Sequence, residues 1–398
     1  MDKLHTTIRA TVEQYAMLSA FGDGIPVVLM VSGGSDSSAL ARLLPELYPH
    51  NNYTILHINH QLRGDQADAD ERFVVALAAE LRLPVEIRRV DVAAEAQRTG
   101  ENIEALGHRL RYTLAAELLD AQCLQAHVTP ERGRIAVAHT RDERVETYLM
   151  RVIKGGGVGA LASIPFVNGR VIRPLMNCSR AQLQDCLRRS APRMGSTDES
   201  GDTLEIVNGS AEQTRLGDAV SADLWCEDAS NADTDHLRAF VRHEVIPLLT
   251  TRNPRLTETI ARSLDNLAAE DACLDAQAHE LIERFVRIDR IPPEPIATID
   301  TALLAHDPVL VRRVLHYACS QVMPPDARIT AEHLHSIATE GARVGFATDI
   351  PGDVTVRTVC ATLIIRRKAA ADQPNQQPKR QADEGTDTGS EGHTRPLY

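Results

Sequence analysis

An apolar run, Val27-Val28-Leu29-Met30-Val31, ends in Ser32-Gly33-Gly34-Ser35-Asp36-Ser37 and passes at once into Ser38-Ala39-Leu40. β-Branched residues, then glycines, then helix formers read as strand, tight loop and helix N-terminus. Such a junction aims free backbone N–H groups and the positive end of a helix dipole at one point, which suits phosphate. No Gly-Lys-Ser/Thr follows, so the loop is not a Walker A sequence, and no Gly-x-Gly-x-x-Gly makes it a dinucleotide fingerprint. Its distinguishing residue is Asp36, a carboxylate able to hold a metal ion against bound phosphates. A glycine turn in an ordinary α/β protein is the plain alternative, and Ser32, Asp36 and Ser37 weigh against it.

Three further segments carry groups that could do chemistry. Asn59-His60-Gln61-Leu62-Arg63-Gly64 is either a set of adenine and ribose contacts or a polar loop. His139-Thr140-Arg141-Asp142-Glu143-Arg144-Val145-Glu146 places Asp142 and Glu146 four apart, on one helix face, with an imidazole just before them. Those groups can bind a cation or handle a proton, or they can form an acidic first turn that favours the helix dipole. Arg151 to Gly159 sets four glycines beside Arg151 and Lys154, which suits a loop closing over phosphate or a glycine-terminated helix.

The elements that must position these residues follow from periodicity. Helices are predicted over 37–47, 70–81, 102–119 and 142–153, and strands over 27–31, 53–58, 84–90, 134–138 and 169–173. Strands alternating with helices predict an α/β fold with a doubly wound parallel sheet. Ligands of such sheets sit at the carboxyl ends of strands, so chemistry is expected just past Val31, Ile58 and Ala138. The stretch from about 189 to 223 breaks the pattern and reads as a flexible acidic insertion. Beyond it, helices are predicted over 254–285, 307–320 and 330–339, and a hairpin over 346–365 around Pro351-Gly352. Residues 1–250 and 251–368 are thus read as two domains, the second mainly helical, followed by a disordered tail over 369–398.

Composition bounds the rest. The chain has 398 residues and a formal net charge of −12. Residues 194–223 account for −6 of that charge and 369–398 for −2, so the remainder is only mildly acidic and a local basic surface is allowed. The seven cysteines are scattered and never spaced Cys-x-x-Cys, which supports neither a zinc ribbon, an iron–sulfur site nor a disulfide framework. No run approaches a membrane span and the N-terminus does not read as a signal peptide, so no membrane partner and a cytoplasmic location are expected. Oligomeric state is not set by the sequence, and a homodimer is admitted.

Ser32-Gly-Gly-Ser-Asp36-Ser37 resembles the PP-loop of ATP pyrophosphatases. The order of the later segments is more particular. Asn59-His60-Gln-Leu-Arg63-Gly, Asn102-Ile-Glu-Ala, Arg111-Tyr112, His139-Thr-Arg-Asp142, Glu146-Thr147, Arg173-Pro-Leu, Ser179-Arg180, Trp225-Cys-Glu-Asp228, Arg238, Arg242, Pro247 and Asn253-Pro254 together resemble the tRNA(Ile)-lysidine synthases. The resemblance implies an adenine-nucleotide-hydrolase-like catalytic domain, with 251–368 binding tRNA through Arg255, Arg262, Arg312, Arg313, Arg343, Arg366 and Lys368. It implies ATP bound by Ser32, Gly33, Gly34, Ser35, Asp36, Ser37, His60, Arg63, Arg111 and His139, with Mg²⁺ on Asp36. It also implies catalysis by Asp36, Asp142 and Glu146. The reaction implied joins free L-lysine to C2 of the wobble cytidine of tRNA(Ile) with a CAU anticodon, through an adenylated cytidine. Glu143-Arg144 stands where the family commonly has Asp-Gln, and Gly107-His108 where it has Ala-Arg, which leaves Arg109 or His108 for one phosphate contact. A PP-loop tRNA thiolase, an amidating PP-loop synthetase and a non-catalytic ATP-binding module remain as alternatives.

Overall fold

The computed structural model describes residues 2–19, 24–62, 64–162, 164–190, 224–226, 237–290, 294–324 and 327–368. The chain divides into two units, Met1–Asp271 and Ala272–Tyr398. The first contains, in order, α1 (Lys3–Gln14), β1 (Pro26–Met30), α2 (Ser35–Leu47), β2 (Asn52–Asn59), α3 (Asp65–Leu81), β3 (Val85–Arg89), α4 (Val92–Thr99), α5 (Ile103–Gln125), β4 (Arg134–Ala136) and α6 (Arg141–Ile153). It continues with α7 (Val158–Leu161), β5 (Val167–Asn168), β6 (Val171–Ile172), α8 (Arg180–Ser190), α9 (Leu237–Phe240), a π-turn at Val241–Val245 and α10 (Ile246–Thr250). The division between units falls inside α11 (Leu256–Phe285).

The first sheet has the order β3-β2-β1-β4-β6-β5, all parallel except the β5–β6 pair. Alternation along β1 buries both faces. Val27, Leu29 and Val31 join a core with α1, α2 and α8, while Val28 joins Leu56, Ile135 and the Ala115, Leu119 and Cys123 side of α5. This is the expected doubly wound layering. The chain leaves β1 toward β2 and β3, then returns to place β4 on the other side of β1. The order therefore reverses between β1 and β4, and the crevice beyond their carboxyl ends is the topological switch point where such folds hold ligands.

The second unit holds β7 (Val286–Asp289), β8 (Ile296–Asp300), α12 (Pro308–Ser320), α13 (Ala331–Glu340), β9 (Ala347–Ile350), β10 (Val354–Val359) and β11 (Thr362–Arg367). The predicted hairpin over 346–365 is present as β9, β10 and β11, but it is part of a five-stranded antiparallel sheet, β7-β8-β11-β10-β9, covered by helices. Short strands β7 and β8 escape a periodicity reading because each is four or five residues long.

The break between units lies at 271/272 rather than the expected 250/251. The first turns of α11 are tied to α6 by Arg141–Glu258 (3.2 Å) and Arg144–Asp265 (2.7 Å), which draws them into the first unit. The helices α1, α4 and α8 were not predicted. The acidic insertion was placed from about 189, yet Arg189 and Ser190 close α8. The remaining insertion, 191–223, and the tail, 369–398, lie outside the described residues.

Candidate active site

The phosphate-type loop is shaped by its own side chains. Gly33 adopts φ +98°, a left-handed conformation open to glycine, with the Cys226 sulfur 3.5 Å from where a Cβ would stand. Gly34 is the N-cap of α2 and offers no side chain, so the first N–H groups of that helix are not covered by a capping side chain. The Ser37 hydroxyl donates to the Gly34 carbonyl (3.0 Å), accepts from the Ser32 N–H (3.2 Å) and lies 3.2 Å from the Ser32 hydroxyl. Beneath the loop, buried His57 places Nδ1 2.9 Å from the Val31 carbonyl, and the Cys226 N–H donates to the Gly33 carbonyl at 2.9 Å. Neither His57 nor Cys226 stood out in the sequence as a loop support.

Asp36 sits at the first turn of α2, and burial raises its pKa while Arg180 lowers it. The Arg180 guanidinium donates to Asp36 Oδ2 at 3.0 Å. The backbone N–H of the same residue donates to Asp142 Oδ2 at 2.6 Å. One residue at the start of α8 thus bridges two of the three acids predicted to act, one on each side of the switch point. Arg180 was visible in the sequence only as part of a matching block; its link to both acids depends on contacts 144 and 38 residues distant.

The helix α6 begins with Thr140 as N-cap, whose hydroxyl accepts from the Glu143 N–H. Its carboxylates are individually engaged. Glu146 is buried and accepts from Arg242 Nε and Nη2, at 2.7 and 2.9 Å. Glu143 lies 3.3 Å from Arg238 and 3.7 Å from His139 Nε2. The two arginines come from the helical segment α9 and its π-turn, a local widening that recurs at functional sites. Glu146, expected among the catalytic carboxylates, is therefore a buried partner of Arg242, whereas Asp142 and Glu143 both act electrostatically on Asp36.

A basic cluster surrounds His139. Burial, followed by the charges of Arg173, Arg111, Arg238 and His108, pushes its pKa down to about 3. Arg111, predicted as an ATP contact, thus lies near His139. At the departure at 107–108, His108 faces the site and Arg109 faces away from it. The His108 ring packs 4.9 Å from Tyr112 and its charge reaches His139, whereas Arg109 pairs with Glu101 at 2.7 Å, exposed to solvent. His60 borders Gly107, with Cε1 4.0 Å from the place of its absent Cβ, so it lies against α5. Arg63 lies outside the described residues, as do Asp228, Ser230 and Asn231.

Arg144 does not face the loop. It is fully buried, its guanidinium 4.9 Å from the Phe166 ring and 2.7 Å from Asp265. The glycine-rich segment after α6 takes the form of a helix end: Gly155 has φ +78°, and the Gly156 N–H donates to the Arg151 carbonyl at 2.8 Å. Among the described residues no group of three acidic, histidine or cysteine side chains forms a ready metal site. Asp36 fits a Mg²⁺ ion that arrives on a nucleotide, because that ion keeps most of its waters and needs only one or two protein carboxylates. All seven cysteines are free thiols, four of them buried. Among the described residues, no helix is long and apolar enough to cross a membrane.

A family model described as a PP-loop domain matches residues 7–202. The chain is 30% identical to a tRNA(Ile)-lysidine synthase of Geobacter sulfurreducens over 85% of this chain and 63% of the relative. It is 35% identical to one of Deinococcus radiodurans over 68% of this chain and 38% of that relative. The chain thus spans less than two thirds of the length of these relatives. Among solved structures, a U34-tRNA thiolase from Methanococcus maripaludis aligns at 18% identity with a TM-score of 0.42, covering 66% of this chain and 77% of that one.

Proposed function

We propose that this chain, which matches a PP-loop domain over residues 7–202 and is similar to tRNA(Ile)-lysidine synthases, uses ATP to join free L-lysine to C2 of the wobble cytidine of tRNA(Ile) with a CAU anticodon. The observation that carries this reading is the bridge made by Arg180, which brings the loop acid Asp36 and the α6 acid Asp142 to one place at the switch point. ATP binding alone requires only the loop; the second acid, across the crevice, supplies what a second substrate needs.

In this account the cytosine O2 attacks the α-phosphorus of ATP, and the P–O bond to pyrophosphate breaks. The N–H groups of 34–37 and the Ser32 and Ser37 hydroxyls meet the negative charge that builds on the leaving group. Mg²⁺ bound with the triphosphate would share that charge, and Asp36 would hold it. Arg180, which pairs with Asp36 here, would be free to meet a phosphate if Asp36 held that ion. Lysine then attacks C2 through an amine, AMP leaves, and the amine's proton passes to a carboxylate. Asp142 and Glu143 are the acids placed for that step, because Glu146 is taken up by Arg242. The target base is unpaired in an anticodon loop and turns outward at modest cost.

A groove of about 450 Å³ beside the start of α6, lined by Arg141, Arg255 and Arg262 with Glu258 and Asp265, is suited to RNA phosphates. In the second unit Arg313 and Lys368 are engaged by Asp275 and Asp349, which makes them weaker candidates for that task. A homodimer is compatible with this reading and not required by it, and the activity belongs in the cytoplasm.

The test is AMP formation from ATP in the presence of Mg²⁺ and the CAU tRNA, with the nitrogen or sulfur donor varied. AMP release that needs both tRNA and lysine is expected. AMP release supported by ammonia or a sulfide donor in place of lysine would assign the chain to an amidating or thiolating reaction.

A further inference from the structure

Arg173 is buried at the carboxyl end of β6, and its donors are spent on fixed targets. Its Nη1 donates to the Pro165 carbonyl at 2.9 Å, and its Nε donates to His139 Nδ1 at 3.2 Å. Tyr112 on α5 is a further hydrogen-bond partner. A guanidinium has donors only, so the imidazole nitrogen it meets must be the one with a lone pair. The proton of the neutral ring is then on Nε2. That nitrogen faces Glu143 at 3.7 Å, beyond hydrogen-bond reach, so its N–H remains available to a ligand in the crevice.

We propose that Arg173 is a positioning residue that locks His139 as the neutral, Nε2-protonated tautomer, so that this imidazole at the head of α6 donates a hydrogen bond to substrate and takes up no proton. The groups facing His139 agree with this. Arg173 from the β6 end, Arg111 and His108 from α5, and Arg238 from α9 are cationic or can become so, and oppose a charged ring. Glu143 on α6 is the acid opposite, and it is shared with Arg238. Burial acts in the same direction as the cations. The consequence for the chemistry is a division of labour: His139 orients an anionic oxygen, and the proton released by an attacking amine falls to a carboxylate.

The test uses full-length protein with ¹⁵N-labelled histidine, without nucleotide or RNA, so its outcome is separate from that of the activity proposed above. Two-bond ¹H–¹⁵N correlation reports which ring nitrogen bears the proton, and loss of a signal set in His139→Asn identifies His139 among the 15 histidines. The wild-type ring is expected as the Nε2–H form with no titration between pH 5 and 8. Arg173→Met removes donor and charge, and should give mixed tautomers and a midpoint raised by at least about one pH unit, a tenfold change in proton affinity. Arg173→Gln keeps an N–H donor and loses the charge, and should keep the Nε2–H form with a raised midpoint. A proton on Nδ1 in wild type would overturn the proposal whether or not either variant folds. So would an Arg173→Met protein whose His139 remains wholly in the Nε2–H form.

Discussion

Asp36 is pulled in two directions, upward in pKa by burial and downward by the Arg180 guanidinium, and that balance makes it the residue whose loss should be most consequential. Asp36→Ala is expected to lower tRNA adenylation by about 10²–10³-fold or more, measured as pyrophosphate release; adenylation within a factor of a few of wild type would remove Asp36 from the phosphate chemistry. His139 makes a different prediction. It is neutral in the folded protein down to about pH 3, whereas an unfolded histidine charges near its ordinary value of 6.5. Between those values the unfolded chain binds the extra proton, so folding stability falls as pH falls below about 6.5. Urea unfolding should show a shallower acid-side loss in His139→Gln than in wild type. Gly107 makes a third. It lies inside α5, and the nearest atoms to an added Cβ would be 4.0 Å away, an ordinary contact. Gly107→Ala, which restores the residue common in the family, should stabilise the protein by about 0.5–1 kcal/mol without loss of activity. The identities of these residues were legible in the sequence because each sits in a short, ordered motif. The state of His139 was not, because it depends on Arg173, which lies 34 residues away in sequence.

Among the elements, α6 carries most of the site, and it is held on two sides. Its carboxylate face meets Arg238 and Arg242, and its opposite side meets α11 through Arg141–Glu258 and Arg144–Asp265. Arg144, which stands where an amide is common, is thereby an anchor of the helix and not a substrate contact: its guanidinium is buried over Phe166, itself stacked 3.9 Å from Tyr15. Asp265→Ala takes the carboxylate from a buried cation. One-sided loss of a buried pair costs about 3–5 kcal/mol, and the 41% exposure of Asp265 lets water compensate in part, so a loss of about 2–3 kcal/mol in urea unfolding is expected. Helix α6 itself was predictable to within one residue from its apolar spacing, as was β2, and α2 to within two. The elements not predicted were those whose existence rests on packing. Helix α8 has a polar sequence that is stabilised by Leu183, Cys186 and Leu187 in the core, and β5 is only two residues long. The pairing of Glu146 was not legible for the same reason: a shared helix face with Asp142 is a local property, whereas the contact with Arg242 is made 96 residues later.

For the whole molecule, the account joins a phosphate loop at the switch point of the first unit with an RNA-binding role spread over basic side chains. The net charge of −12 makes that role depend on local patches such as the groove lined by Arg141, Arg255 and Arg262. Affinity for the tRNA should therefore fall steeply with salt, with a log–log slope that is reduced by about one in Arg262→Ala, since phosphate contacts release counterions. The measurement that tests the central claim most directly is incorporation of labelled lysine into the CAU-anticodon tRNA(Ile) with ATP and Mg²⁺ present. The account predicts label in the RNA at the wobble cytidine, one lysine per tRNA, with AMP and pyrophosphate formed in equal amounts, and none with Asp36→Ala. Absence of lysine from the RNA, with pyrophosphate release indifferent to tRNA, would contradict it.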